Sequence, residues 1–177
     1  MASELTLIIG GAASGKSLFA ERLAGLGTAV TYIATAHPID DEMTAKIKIH
    51  RQRRPEGWHT VELSGPDLLK ILPEVAGDIV IIDGLTLYVA MALNDLPDPL
   101  EHVGQVAEAL RQMGQAVLVV SDEVGMGLVP ESPRGRAFRE LLGAANQEIA
   151  RAADNVYFVA AGLPLTLKGR ELRGGAG

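Results

Sequence analysis

An apolar run, Leu5-Thr6-Leu7-Ile8-Ile9, leads directly into Gly10-Gly11-Ala12-Ala13-Ser14-Gly15-Lys16-Ser17, and that loop runs into the helix-forming Leu18-Phe19-Ala20-Glu21-Arg22-Leu23. No other stretch restricts the fold as strongly. The spacing G-x-x-x-x-G-K-[ST], with a strand before it and a helix after it, is that of a loop wrapped around phosphate. Gly10 and Gly15 allow backbone angles and close approaches that a Cβ would block. The loop amides can then turn inward as an anion nest, and the helix beginning near Lys16 adds free N–H groups and its positive dipole end. Lys16 reaches the β- and γ-phosphates as a point charge, and Ser17 can ligate Mg²⁺. Residues 10–17 are therefore read as nucleotide-binding: Gly10, Gly11, Ala12, Ala13, Ser14, Gly15, Lys16 and Ser17. The plainer alternative is a glycine-rich strand-to-helix turn with no ligand.

The rest of the chain repeats the strand–helix alternation. Short runs rich in Val, Ile and Leu predict strands at 5–9, 29–34, 78–83, 116–121 and 155–160, with a weaker one at 58–63. Such runs suit strands covered on both faces. Helices are expected at 16–25, 41–52, 101–113 and 136–153, and another around 85–93. The fold class is α/β: a single-domain, P-loop NTPase-like fold with a mainly parallel sheet and flanking helices. One nucleotide-binding domain is expected over 1–177, with a loose tail at 165–177. Breaks are read at Pro38, Pro55, Pro66, Pro97-Asp98-Pro99 and Pro130 through Pro133.

Composition narrows the function. The net charge of −6 argues against a general nucleic-acid footprint. No apolar run approaches a membrane span, and Met1-Ala2-Ser3-Glu4 does not begin a leader, so a cytoplasmic protein is expected. With no cysteine there is no disulfide, thiolate metal site or thiol nucleophile.

In a parallel sheet, ligands sit beyond the carboxyl ends of the strands. Those ends deliver Gly10 onward, Ala34-Thr35-Ala36, Asp83 and Ser121-Asp122-Glu123. Asp83 closes the run Ile79-Val80-Ile81-Ile82 and is read as the carboxylate that holds Mg²⁺ beside Ser17, in preference to a cap on the next helix. Asp122 and Glu123 are read equally as substrate contacts or as parts of a structural turn. The basic cluster Lys46, Lys48, Arg51, Arg53 and Arg54 is either a solvated helix face or a lid over transferring phosphates. His50 lies within that cluster. Neighbouring cations disfavour imidazolium, and a neutral ring can attack phosphorus. On residue pattern alone, a solvated histidine on a charged face is the favoured reading.

Three functions compete: a GTP-binding regulatory switch, a small-molecule kinase moving only the γ-phosphoryl group, and an enzyme carrying a nucleotidyl group on His50. The switch lacks support, because Asp83 is followed by Gly84-Leu85-Thr86 and no N-K-x-D motif exists. At greater length, the chain resembles the bifunctional adenosylcobinamide kinase and adenosylcobinamide-phosphate guanylyltransferase family of cobalamin biosynthesis. The resemblance rests on residues 10–17, Tyr32-Ile33-Ala34-Thr35-Ala36, Asp40-Asp41-Glu42-Met43, His50 with Arg54-Pro55 and Trp58, and Asp83-Gly84-Leu85-Thr86. It continues through Glu123-Val124-Gly125-Met126-Gly127-Leu128-Val129-Pro130-Glu131, Phe138-Arg139, Asn146-Gln147 and Ala161-Gly162-Leu163-Pro164.

The resemblance implies phosphorylation of adenosylcobinamide by ATP or GTP, then guanylylation of a histidine by GTP with loss of pyrophosphate. GMP then passes to adenosylcobinamide phosphate. It implies His50 as the guanylylated residue, beside which Lys16 and Arg54 are read as catalytic cations that offset charge developing on the phosphates. Implied nucleotide contacts are residues 10–17, Ala34, Thr35, Ala36, Arg51, Gln52, Arg53, Arg54, Glu62 and Asp83, with Mg²⁺ on Ser17 and Asp83. It also implies a homotrimer. Common family residues are replaced at Ala13, Gly84 and Asp122, where arginine, cysteine and asparagine are frequent.

Overall fold

A computed structural model of the chain describes residues 3–25, 29–35, 45, 47–49, 51–52 and 54–172. The strands are β1 (Leu5–Gly10), β2 (Val30–Ala34), β3 (His59–Glu62), β4 (Ile79–Asp83), β5 (Ala116–Asp122), β6 (Asn155–Ala160) and β7 (Leu163–Lys168). The helices are α1 (Lys16–Ala24), α2 (Leu68–Ile71, continued by a 3-10 turn, Leu72–Glu74), α3 (Leu85–Asp95), α4 (Pro99–Arg111) and α5 (Pro133–Ala152). All seven strands form one sheet in the order β3-β2-β4-β5-β1-β6-β7. Every neighbouring pair is parallel except β6 with β7.

The central strands are apolar at successive positions because both faces are covered. Val80 and Ile82 of β4 join Leu7, Val117 and Val119 in the layer under α3, α4 and α5. Ile79 and Ile81 point the other way, with Ile8, Leu118 and Val120, against Ala20 and Ala24 of α1. The period-2 alternation of the strands thus divides one apolar run between two cores. On α5 the expected stripe is present: Leu142, Ala145 and Ile149 are fully buried, with Phe138, Leu141 and Ala152 packed at its margin.

Several boundaries move, for local reasons. Pro99 and Pro133, read as breaks, are first residues of helices, where proline forfeits no intrahelical bond. Asp98 caps α4 by accepting from the Glu101 N–H, and Ser132 caps α5 by accepting from the Gly135 N–H. The expected loose tail from 165 is corrected over 165–168. Leu163–Lys168 is an antiparallel strand paired with β6 through a turn at Ala161-Gly162, both with positive φ. Of the helix expected at 41–52, residues 45, 47–49 and 51–52 are helical, and the others lie outside the described residues. No described helix is long and apolar enough to cross a membrane.

Candidate active site

The strand register brings the candidate residues to one edge of the sheet. Gly10 lies opposite Asp122, Ala34 opposite Asp83, and Ala34 also opposite Glu62. These pairings carry the ends of β1, β5, β4, β2 and β3 to a shared level, where the loop after β1 begins.

That loop is built tightly. A Cβ on Gly10 would stand 2.4 Å from the Val159 carbonyl and 2.6 Å from Ser14 Oγ. Gly15 is the N-cap of α1 with φ 95°, in the left-handed region. The Gly162 N–H donates to the Ser14 carbonyl at 2.8 Å, so the β6–β7 turn braces the loop from below. Lys16, opening α1, directs its ammonium at the Gly11 carbonyl (3.2 Å) and at Asp122 Oδ1 (2.5 Å). Ser17 Oγ donates to Asp83 Oδ1 at 3.4 Å.

Around Asp83 the supports come from outside the loop. The Tyr32 hydroxyl, one strand away, donates to Asp83 Oδ2. Burial, reinforced by the Asp83 carboxylate, pushes the Tyr32 phenol far above its ordinary range, so it remains a donor. Thr35 accepts from the Gly84 N–H at 2.9 Å and donates to the Gly84 carbonyl at 2.7 Å, which fixes the turn after β4. Thr86 and Asn146 hold the end of β5. The Asp122 N–H donates to Thr86 Oγ1 (2.8 Å), and Asn146 Nδ2 donates to the Asp122 carbonyl (3.0 Å).

A cavity of about 180 Å³ opens over these groups. Its lining includes Lys16, Ser17, Ala34, Asp83 and Asp122, with Arg51, Arg54 and Glu62 from the other side. Arg54 stacks its guanidinium 3.6 Å over the Tyr32 ring. Among the described residues, its buried Nε has no acceptor. Arg51 pairs with Glu62 at the half-exposed rim, where an ion pair contributes little to stability.

Placement of the expected residues is uneven. Residues 10–17, Ala34, Glu62, Asp83, Arg51 and Arg54 gather at this edge. Thr35 is buried and acts through Gly84, while Gln52 is exposed and outside the cavity lining. His50, Ala36 and Arg53 lie outside the described residues. Sequence reasoning gave no role to Tyr32, Thr86 or Asn146. Tyr32 resembles an ordinary core aromatic of a strand, and nothing local marks its contact with Asp83. Among the described residues no cluster of three or more His, Asp or Glu side chains forms a metal site. Oxygen donors beside the loop include Ser17 Oγ and the Asp83 carboxylate, which meet each other, and the Asp122 carboxylate, which pairs with Lys16; the first two are hard ligands of the kind Mg²⁺ takes.

The family described as cobinamide kinase / cobinamide phosphate guanyltransferase, CobU, matches residues 6–167. The chain belongs to this family. Among similar CobU-family proteins, one from Pseudomonas aeruginosa, "Bifunctional adenosylcobalamin biosynthesis protein CobP", is 42% identical, covering 94% of this chain and 98% of its own. The Escherichia coli (strain K12) protein "Bifunctional adenosylcobalamin biosynthesis protein CobU" is 39% identical, with coverage of 93% and 99%. Its Salmonella typhimurium namesake is 35% identical, also over 93% and 99%. A solved structure of a Pyrococcus horikoshii OT3 protein superposes with TM-score 0.54 at 8% identity, covering 96% of this chain and 88% of that one, a likeness of fold alone.

Proposed function

We propose that this chain phosphorylates adenosylcobinamide and then transfers GMP from GTP to adenosylcobinamide phosphate through a guanylylated His50, giving adenosylcobinamide-GDP. We read the whole chain as one P-loop NTPase-like domain acting as a homotrimer. The observation that carries the reading is the convergence of Lys16, Ser17 and Asp83 on one cavity in a chain of the CobU family.

Each residue has a part. The loop amides and α1 grip the triphosphate tail, and Lys16 offsets charge gathering on the phosphates as they part. Arg54 has a buried N–H without an acceptor, suited to a phosphate oxygen. Ser17 and Asp83 would hold Mg²⁺, with Tyr32 fixing the Asp83 carboxylate. When bound, that ion neutralises phosphate charge. Ile47, three residues before position 50, and Arg51, one residue after it, both line the cavity, which supports His50 as the nucleophile. In guanylylation the imidazole nitrogen forms a bond to the α-phosphorus, and the bond from that phosphorus to the bridging oxygen breaks, releasing pyrophosphate. A phosphate oxygen of adenosylcobinamide phosphate then attacks the same phosphorus and frees the imidazole.

Incubation with α-labelled GTP and Mg²⁺ tests the scheme. The expected result is an acid-labile, base-stable label on the protein, absent in His50→Ala, whose phosphorylation of adenosylcobinamide largely survives. A protein left clean by α-label while γ-label reaches the acceptor would establish a simple kinase instead.

A further inference from the structure

We propose that Asp122 is a built-in competitor for Lys16, a carboxylate that occupies the ammonium until a polyphosphate displaces it. The inference rests on reading residues 10–17 as a phosphate cradle. Lys16 Nζ lies 2.5 Å from Asp122 Oδ1 and 3.2 Å from the Gly11 carbonyl, so the protein supplies both of these acceptors itself. The pairing follows from the fold, since Asp122 is the register partner of Gly10 on the adjacent strand.

Which partner yields is decided by how each is anchored. The Asp122 main chain is held through its N–H by Thr86 and through its carbonyl by Asn146. The next residue is held too, by the Glu123 N–H donating to the Gly10 carbonyl at 2.9 Å. Lys16 carries its charge on a flexible four-carbon stem with three rotatable donors. An arriving phosphate therefore swings the ammonium and leaves the carboxylate in place. Until then it meets a neutral pair instead of a bare cation, with a negative group beside its landing site. A lone phosphate gains little from that exchange. A triphosphate that also collects the loop amides gains enough to complete it, so Asp122 sets a threshold favouring polyphosphates.

Calorimetric titration of inorganic tripolyphosphate, and separately of GTP, into wild type, Asp122→Asn and Asp122→Ser tests this. Both variants are expected to bind each ligand about tenfold more tightly, the size of one charge-assisted contact shared with solvent. Unchanged or weaker binding by folded variants, with wild type binding normally, overturns the competition and leaves the cradle standing. Failure of wild type to bind either ligand removes the cradle and the competition with it. A crystal structure of wild type with GTP needs no variant. Lys16 Nζ on a phosphate oxygen and out of reach of Asp122 supports the proposal, and an intact Lys16–Asp122 pair beside bound phosphates refutes it.

Discussion

Gly15 has two constraints on it that Gly11, four residues earlier, does not share. Its φ of 95° disfavours any L side chain, and a Cβ there would come within 3.1 Å of Gly162 Cα. Gly11 has open space around its would-be Cβ. Gly15→Ala is therefore expected to cost about 1–3 kcal/mol of stability through strain and a displaced β6–β7 turn. Gly11→Ala is expected to stay within about 0.5 kcal/mol of wild type. Urea unfolding of the two variants side by side checks the contrast, and equal losses would count against it. GTP affinity should fall with Gly15→Ala as well, because the same peptide opens α1. At this scale the meeting of Lys16, Ser17 and Asp83 at one cavity was legible, since a glycine-rich strand-to-helix turn and a carboxylate after an apolar strand are local patterns. Tyr32 and Thr86 were not, because each acts on a strand end far along the chain, Tyr32 on Asp83 and Thr86 on the Asp122 N–H.

Helix α4 illustrates how an element can be fixed without touching the site. Asp98 accepts from the Glu101 N–H at 2.9 Å, and Pro99 occupies the first helical position. The Pro97-Asp98-Pro99 stretch signalled a boundary correctly, and the structure adds that the boundary is a beginning. Asp98→Ala should lose about 1 kcal/mol, the usual worth of a side-chain cap. GTP affinity should not change, because α4 packs under the sheet through Val103, Val106 and Leu110, away from the cavity. Chemical denaturation paired with a GTP titration separates the two effects, and a coupled fall in affinity would refute the separation. Strand β7 was missed for a different reason. Leu163, Leu165 and Leu167 alternate with period 2, but Pro164 and the glycines around the segment resemble chain-end punctuation. Proline is tolerable there because β7 is an edge strand.

Across the whole molecule, buried phenols link stability to pH. Burial holds Tyr32 and Tyr88 far above the ordinary tyrosine value of 10.0. Tyr32 also faces Asp83, and the Tyr88 hydroxyl lies 2.6 Å from His102 Nε2. Below that value folded and unfolded chains both keep these protons, so the contribution is constant. Above it the unfolded chain sheds protons that the folded chain retains, and stability falls as pH rises. The limiting slope is about 1.4 kcal/mol per pH unit for each retained proton. Urea midpoints measured between pH 9 and 11 should fall less steeply for Tyr32→Phe/Tyr88→Phe than for wild type; identical slopes would contradict the assignment. The glycine-rich turn between β1 and α1, the α/β class and the run of mainly parallel strands were determined by the sequence alone. They depend on glycine spacing and on apolar periodicity, both set by residues adjacent in the chain. The tertiary structure alone decided that Gly10 faces Asp122, that Tyr32 reaches Asp83, and that Lys16 rests on a carboxylate. Those meetings depend on the register between strands distant in sequence, and register is set only when the helices pack both faces of the sheet at once.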